Sequence, residues 1–271
     1  MSTTTTTTGT PITTIIFDVD DTLYDVGSGF TAHRCGDAVQ EFMMEKLGFP
    51  DMESAKAVQR KYFAMYHSTS KGLTVAEKEG QFPKKSDSPD KPLFETQDLS
   101  TWWAERLDYS MISAKSTDFQ DELRGLAKSV KILAFSNGPR KYVQRVLKEL
   151  DLTEFFGDES LYCVDDVLPH CKPEKEAFQK IFDTAGVKAE ECIMVEDSMK
   201  NIRCAKALGM KTILIKGIQK AENSANIAAS EETKPGDAPK DSDPAVDVTL
   251  ESVEQLKKVL PGLWKEQPVF A

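Results

Sequence analysis

The sequence predicts an α/β protein built on a doubly wound parallel sheet, with a helical insert directly after the first strand. Short apolar, β-branched runs recur along the chain, as the buried strands of a parallel sheet do. Helical patterns separate most of these runs, and such alternation is typical of a parallel sheet covered by helices. Residues 26–116 break the alternation, because they contain helical stretches and no convincing buried strand.

The individual elements follow from the same patterns. The first strand is residues 13–17, an apolar run that stops at a cluster of acids. Further strands are expected at residues 130–135, 192–195, 211–215 and 246–250, and helices at 31–46, 51–66, 98–107, 139–150, 173–183, 199–208 and 252–259. Gly209 is placed to end the helix before it. Residues 81–92, rich in Lys, Ser, Asp and Pro, are predicted to form an exposed loop.

These elements divide the chain into parts. Residues 13–25 and 117–218 are expected to form one core, residues 26–116 a helical cap, and residues 246–271 a C-terminal return to the core. Residues 1–12 are a Thr-rich leader, and residues 219–245 are polar and nearly free of large apolar side chains. Both are expected to be flexible, because they bury too little surface to offset the entropy lost on ordering.

Composition excludes several classes of function. The 271 residues carry a net charge of −10, which opposes binding to nucleic acid polymers and to anionic membranes. Five cysteines without a Cys-x-x-Cys pair, and three histidines without metal-ligand spacing, favour neither disulfides nor a zinc site. No apolar run has the length of a membrane span and the leader lacks targeting features, so a soluble cytoplasmic protein is expected. Composition leaves the oligomeric state open.

The strongest chemical signal is a pair of carboxylates after the first strand. Asp18 and Asp20 lie two residues apart at the carboxyl end of that strand, where open α/β sheets place their ligands. One carboxylate can attack an electrophile while the other transfers a proton. Taken alone, these residues also fit an acidic turn before a helix.

Three further segments follow other predicted elements. Ser136 and Asn137 precede an expected helix start, where a hydroxyl and free amides favour an anion. Lys172 precedes another expected helix start and would hold one ammonium group in place. Glu196 and Asp197 end a strand, and paired carboxylates there suit a hard cation such as Mg²⁺. Each segment alone also fits an ordinary helix cap, a surface lysine or a helix-dipole pair.

Together and in this order, these segments resemble the haloacid dehalogenase superfamily of phosphohydrolases. The resemblance covers residues 13–24 and about 130–215. More narrowly, the chain is similar to the pyrimidine 5′-nucleotidase branch. That similarity is carried by FDVDDTLY at 17–24 with GSG at 27–29, YHSTSKGL at 66–73, HCKP at 170–173 and EDSMKN at 196–201. The branch often has two aspartates where this chain has Glu196 and Asp197.

The resemblance implies a phosphomonoester hydrolase with an aspartyl-phosphate intermediate. Asp18 would attack phosphorus, and Asp20 would protonate the leaving oxygen and then activate water. A dehalogenase expels halide, which needs no proton, so the acid at Asp20 favours cleavage of a P–O bond. The remaining implied roles belong to residues that brace the loop or bind the phosphoryl group: Thr22 for the loop, and Ser136, Asn137 and Lys172 for the phosphate.

The resemblance also implies a magnesium ion, and charge counting agrees. A phosphate monoester carries roughly two negative charges, and three carboxylates would surround it against one lysine. Like charges about 4 Å apart repel by about 4 kcal/mol per pair at an effective dielectric near 20, so a divalent cation is required. The implied ligands are Asp18, the backbone carbonyl of Asp20, Asp197, and Glu196 either directly or through water.

The helical insert is expected to close over this site and to select the substrate, which by resemblance is UMP or CMP. Trp102, Trp103 and Tyr109 could stack on a nucleobase. Packing within the insert is the favoured interpretation of aromatic residues at helical spacing. His33 and Arg34 follow the GSG bend, and a solvated helix start is favoured for them over a place at the site.

Other functions fit parts of the pattern. A phosphatase or mutase acting on a sugar phosphate or phosphoglycolate is the alternative among enzymes. A receiver-type phospho-aspartate signalling module also groups aspartates, a hydroxyl residue and a lysine around Mg²⁺. Its phosphorylated aspartate follows a later strand, however, and it lacks the helical insert. A catalytically silent binding protein on the same fold gains no support, because no group of the catalytic pattern is missing.

Overall fold

The structure is a computed structural model that describes residues 11–86, 88, 91–112, 114, 116–218, 243–266 and 268–270. Its strands are β1 (Thr14–Phe17), β2 (Lys131–Phe135), β3 (Leu161–Tyr162), β4 (Cys192–Glu196), β5 (Lys211–Ile215) and β6 (Val248–Leu250). They form one parallel sheet in the order β3-β2-β1-β4-β5-β6. The doubly wound parallel sheet predicted from the sequence is therefore confirmed.

The central strands are apolar because both faces of the sheet are covered. Every residue of β1 and β4 is buried. Successive side chains of a strand point to opposite faces, so Ile15 packs in one apolar cluster with Val195 while Ile16 packs in another with Met194. This two-sided burial explains why these strands are continuous apolar runs rather than alternating ones.

Five α-helices occupy the described residues of the predicted insert, 26–116. They are α1 (Phe30–His33), α2 (Val39–Leu47), α3 (Met52–Tyr66), α4 (Thr69–Lys78) and α5 (Thr96–Arg106). The single helix predicted over 31–46 is divided, because Gly36 leaves helical backbone angles. Helix α3 begins where predicted, since the Asp51 carboxylate accepts from the amide of Ser54 at 2.8 Å. Helix α4 was not predicted, although Ser68 caps it.

The remaining helices cover the sheet. They are α6 (Thr117–Leu126), α7 (Arg140–Glu149), α8 (Val164–Val167), α9 (Lys175–Ala185), α10 (Met199–Ala207) and α11 (Leu256–Val259). Helix α9 begins two residues later than predicted, so Lys172 lies in the loop before it. Of the segments predicted to be flexible, residues 1–10 and 219–242 lie outside the described residues. No helix of the described residues is both long and apolar enough to cross a membrane.

Strand order and register place the candidate site. The chain runs from β1 to β2 and β3 on one side of β1, and then returns to β4 on the other side. Ligands of open α/β sheets bind at such a reversal, outside the carboxyl ends of the strands. Phe17 is in register with Ala134 and Val195. The residues that follow these positions, Asp18 and Glu196 among them, therefore meet at one edge of the sheet.

Candidate active site

A buried ion pair forms the centre of the site. The Lys172 ammonium donates to Asp18 Oδ1 at 2.6 Å and to Glu196 Oε2 at 2.8 Å. A third hydrogen bond, of 2.7 Å, goes to the carbonyl oxygen of Phe135 at the end of β2. Lys172 and Glu196 are each 1% exposed and Asp18 is 5% exposed. An ammonium group has three donors, so its full set of acceptors explains how this charge is buried.

Burial and like charge shift the titration of the acids. Burial and the neighbouring Glu196 raise the pKa of Asp18 to about 8, although Lys172 opposes the shift. Burial and the same glutamate raise the pKa of Asp197 well above its ordinary value. Burial opposes the charge of Lys172, but Asp18 and Glu196 outweigh it, and the pKa of the lysine rises. The single positive charge of Lys172 is therefore too small to balance the negative charge of the carboxylates around it.

The carboxylates of Asp18, Glu196 and Asp197 fit a divalent cation. Each offers an oxygen, and these oxygens lie within 4.8 Å of one another. Oxygen ligands and excess negative charge are what Mg²⁺ prefers in proteins. The same burial and crowding of acids that raise the pKa values of Asp18 and Asp197 would favour a bound divalent cation, which displaces protons from its ligands. The Thr22 hydroxyl braces this group, 3.4 Å from an oxygen of Asp18 and 3.4 Å from one of Asp197.

Both carboxylate oxygens of Glu196 accept hydrogen bonds from neighbouring groups. Oε1 accepts from the amide of Ser198 at 3.1 Å, and Oε2 accepts from Lys172 and from the Asn201 side chain, the latter at 3.0 Å. Asn201 was not singled out from the sequence, although it lies in the EDSMKN segment. These three donors occupy most of the acceptor sites of the carboxylate and orient Glu196 toward the lysine.

Asn137 fixes the backbone of Lys172. Its side-chain oxygen accepts from the Lys172 amide at 2.9 Å, and its side-chain nitrogen donates to the Lys172 carbonyl at 2.8 Å. The predicted phosphate contact of Asn137 would therefore fall to its backbone. Ser136 follows β2 directly, and its hydroxyl accepts from the amide of Gly138 at 2.9 Å. A hydroxyl that accepts in this way keeps its own hydrogen for an anion.

Asp20 accepts hydrogen bonds from three side chains, none of which was predicted to contact it. Tyr24 donates to Asp20 Oδ1 at 2.7 Å, and the Tyr142 hydroxyl donates to the same oxygen. Arg34 donates to Oδ2 at 3.2 Å. The expectation of a solvated Arg34 was wrong, because its side chain is buried against aromatic rings and paired with Asp20. His33 is half-buried.

The aromatic residues of the insert pack rather than line an open pocket. Trp102, Trp103 and Tyr109 are all buried. The Trp103 ring lies 5.4 Å from that of Tyr142, and the Tyr109 hydroxyl donates to the Trp103 carbonyl at 3.0 Å. The favoured interpretation, packing, is confirmed.

A second part of the insert reaches the core beside Lys172. Asn137 donates to the carbonyl of His67 at 3.4 Å, and the His67 ring lies 3.0 Å from the Lys200 ammonium. Lys71 pairs with Glu174, two residues after Lys172. The YHSTSKGL segment therefore borders the predicted phosphate-binding residues.

Comparison with known proteins places this geometry in a family. The sequence model described as "Hydrolase: haloacid dehalogenase-like hydrolase" matches residues 12–209. A phosphoglycolate phosphatase of Pseudomonas putida is 30% identical over 95 residues, which make up 35% of this chain and 34% of that enzyme. The match thus spans about a third of the length of that relative.

Solved structures share the fold. A HAD phosphatase from Thermococcus onnurineus superimposes with a TM-score of 0.55 and 18% identity, covering 95% of this chain and 100% of that one. CbbY from Rhodobacter sphaeroides, in complex with phosphate, gives a TM-score of 0.55 and 19% identity, covering 90% of this chain and 96% of that one.

Proposed function

The chain belongs to the haloacid dehalogenase-like hydrolases, and we propose that it is a Mg²⁺-dependent phosphomonoester hydrolase that works through an aspartyl-phosphate intermediate. One observation carries the proposal. At the reversal point of the sheet, Asp18 is held 2.6 Å from a buried lysine, beside two further acids whose oxygens lie within 4.8 Å. This arrangement combines a nucleophile with the positive charge that a phosphoryl group needs.

The proposed reaction has two displacements at phosphorus. In the first, an Asp18 oxygen forms a bond to phosphorus, the bond to the leaving oxygen breaks, and Asp20 gives that oxygen a proton. In the second, Asp20 takes a proton from water, the water oxygen bonds to phosphorus, and the bond to Asp18 breaks. Free phosphate and an alcohol result, and both aspartates return to their starting states. Lys172 and the Ser136 hydroxyl would hold phosphoryl oxygens throughout.

The proposed metal ligands are the oxygens that are least occupied by hydrogen bonds from the protein. Asp18 and Asp197 would bind Mg²⁺ directly, together with the backbone carbonyl of Asp20. Glu196 would act through water, because Ser198, Lys172 and Asn201 already donate to its oxygens. When bound, the ion neutralises charge on the carboxylates and on the phosphoryl group.

The proposed substrate is a pyrimidine nucleoside monophosphate, UMP or CMP, selected by the helical insert acting as a cap. Support comes from the YHSTSKGL segment, which carries the branch resemblance and borders Asn137 through His67. Because Trp102, Trp103 and Tyr109 are buried in packing, they do not add support for a stacked base. The second candidate is phosphoglycolate, which the similarity to phosphoglycolate phosphatases favours.

A substrate panel tests both levels of the proposal. Phosphate release is measured with Mg²⁺ from UMP, CMP, phosphoglycolate and a hexose phosphate, beside Asp18→Asn. Release that depends on Asp18 supports the reaction class, and the highest kcat/KM for UMP or CMP supports the nucleotide assignment. Highest turnover of phosphoglycolate would transfer the assignment to the second candidate. An isomerised sugar phosphate without free phosphate would indicate a mutase, and a stable phosphoprotein without turnover would indicate a signalling module.

A further inference from the structure

Arg34 belongs to the helical insert but ends at the proposed acid of the core. Its side chain is buried, with 8% of the residue exposed. Its Nη2 lies 3.2 Å from Asp20 Oδ2, the one carboxylate within 4 Å of it in the described part of the chain. A buried guanidinium needs a partner for its charge, and here Asp20 supplies it.

Aromatic rings fix the guanidinium in place. Its central carbon lies 5.0 Å from the centre of the Trp103 ring and 4.9 Å from that of the Tyr142 ring. These distances are within the range of cation–π contacts, which favour the flat arginine head over a lysine ammonium. Trp103 lies on α5 of the insert, whereas Tyr142 lies on α7 of the core. The guanidinium therefore sits at the contact between insert and core.

Tyr142 completes the cage around the acid. Besides contacting Arg34, it donates to Asp20 Oδ1, which also accepts from Tyr24 at 2.7 Å. Tyr24 is itself 2.9 Å from the Thr31 hydroxyl of the insert. Both Asp20 oxygens are thus held, one by two tyrosines and the other by Arg34. A carboxylate with partners on both oxygens is confined to one orientation, and this ionised form is the one that Asp20 takes after it gives its proton to the leaving oxygen.

We infer that Arg34 is a positioning residue for Asp20, through which the insert sets the place of the proton donor. The inference rests on the proposed function, because it takes Asp20 as the acid that protonates the leaving oxygen. A general acid acts only within hydrogen-bond reach of that oxygen. A small displacement of a catalytic group is enough to lower the rate strongly.

Dependence on the leaving group separates positioning from a purely structural role. An alkyl phosphate such as UMP or phosphoglycolate releases an alkoxide-like oxygen that needs a proton. p-Nitrophenyl phosphate releases an anion that is stable at neutral pH and needs no proton. Loss of a well-placed acid therefore slows the first class selectively, whereas damage to the fold slows both equally.

The experiment compares Arg34→Met and Arg34→Lys with Arg106→Met. Arg106 is the matched control, because it also stacks on an insert tryptophan, 4.2 Å from the Trp102 ring, but it is exposed, and its ion pair among the described residues is with Glu45, outside the proposed site. General acid catalysis contributes about 10²–10⁴-fold, so we expect Arg34→Met to lower kcat for the alkyl phosphate by about 10–100-fold. With p-nitrophenyl phosphate we expect less than about a threefold change. Arg34→Lys should show a smaller loss with the same selectivity.

A double mutant tests whether Arg34 acts through Asp20. If Arg34 acts through Asp20, adding Arg34→Met to Asp20→Asn lowers kcat no further, because coupled residues are not additive. Equal losses with both substrates, no loss, or an additive double mutant would each overturn the inference. Should Arg34→Met not fold in a thermal unfolding scan, Arg34→Lys and Tyr142→Phe carry the same comparison. Failure of the wild-type protein to release phosphate from either substrate would instead refute the proposed function.

Discussion

The Lys172 ammonium lies 2.6 Å from the Asp18 carboxylate, although 154 positions separate the two residues. Both are buried, and the same ammonium binds Glu196 and the Phe135 carbonyl. One side chain thereby links the ends of β1, β2 and β4. The stability of this part of the protein and its proposed chemistry depend on the same contacts.

Replacing Lys172 by Met should lower both the stability of the protein and its phosphatase activity. The substitution leaves two buried carboxylates without their cation, and removal of one partner of a buried pair costs about 3–5 kcal/mol of unfolding free energy. Loss of a preorganised charge at the reacting group should lower kcat by about 10²–10³-fold. Urea denaturation in chelator and steady-state kinetics measure the two effects. Lys180→Met, at an exposed position of α9, is the control, and a Lys172→Met protein that matches it would contradict the assignment.

The raised pKa of Asp18 predicts a pH-dependent stability of the metal-free protein. The ordinary value is 3.8 and the folded value is about 8. Because the folded state holds the proton more tightly, this contribution is fully present below the lower value and is lost as the pH rises through about 8. The unfolding free energy of the chelated wild type should therefore fall between these values more steeply than that of Asp18→Asn. Parallel pH profiles for the two proteins would refute the shift.

Chelation should abolish phosphate release, and added Mg²⁺ should restore it. Asp197→Asn removes a proposed direct ligand, whereas Glu196→Gln alters a residue proposed to act through water. Outer-shell changes cost about 10–100-fold in metal affinity, so Glu196→Gln should weaken Mg²⁺ binding within that range and Asp197→Asn should weaken it more. Titration of activity with Mg²⁺ gives both affinities. The reverse order would assign the direct contact to Glu196, and full activity in excess chelator would reject the metal site.

Asn137→Ala should separate positioning of Lys172 from metal binding. The substitution removes the hydrogen bonds of 2.9 Å and 2.8 Å to the Lys172 backbone. At about 0.5–1.5 kcal/mol for each bond, stability should fall by about 1–3 kcal/mol. We expect kcat to fall while the Mg²⁺ concentration for half-maximal activity stays unchanged. Asn201→Ala, which removes a contact to Glu196, should shift that concentration instead; equal shifts in both variants would contradict the separation.

Much of the fold was predictable because the signals are local. Apolar runs and the polar residues that end them predicted β1, β2, β4, β5 and β6 to within a residue or two at each end. β3 was missed, since a pair such as Leu161–Tyr162 is too short to show a period. The helix over 31–46 was predicted as continuous, but Gly36 leaves helical backbone angles, which glycine can do at little steric cost.

By itself, the sequence determined five of the six described strands, the acids at their ends and the family resemblance, because each of these depends on residues that are neighbours in the chain. Only the tertiary structure decided that Arg34 is buried, that Tyr142 reaches Asp20, and that Glu196 is occupied by other donors. These contacts join residues far apart in the chain, and packing rather than periodicity sets which of them meet. The assignment of the insert as a cap and of UMP or CMP as substrate stays a prediction.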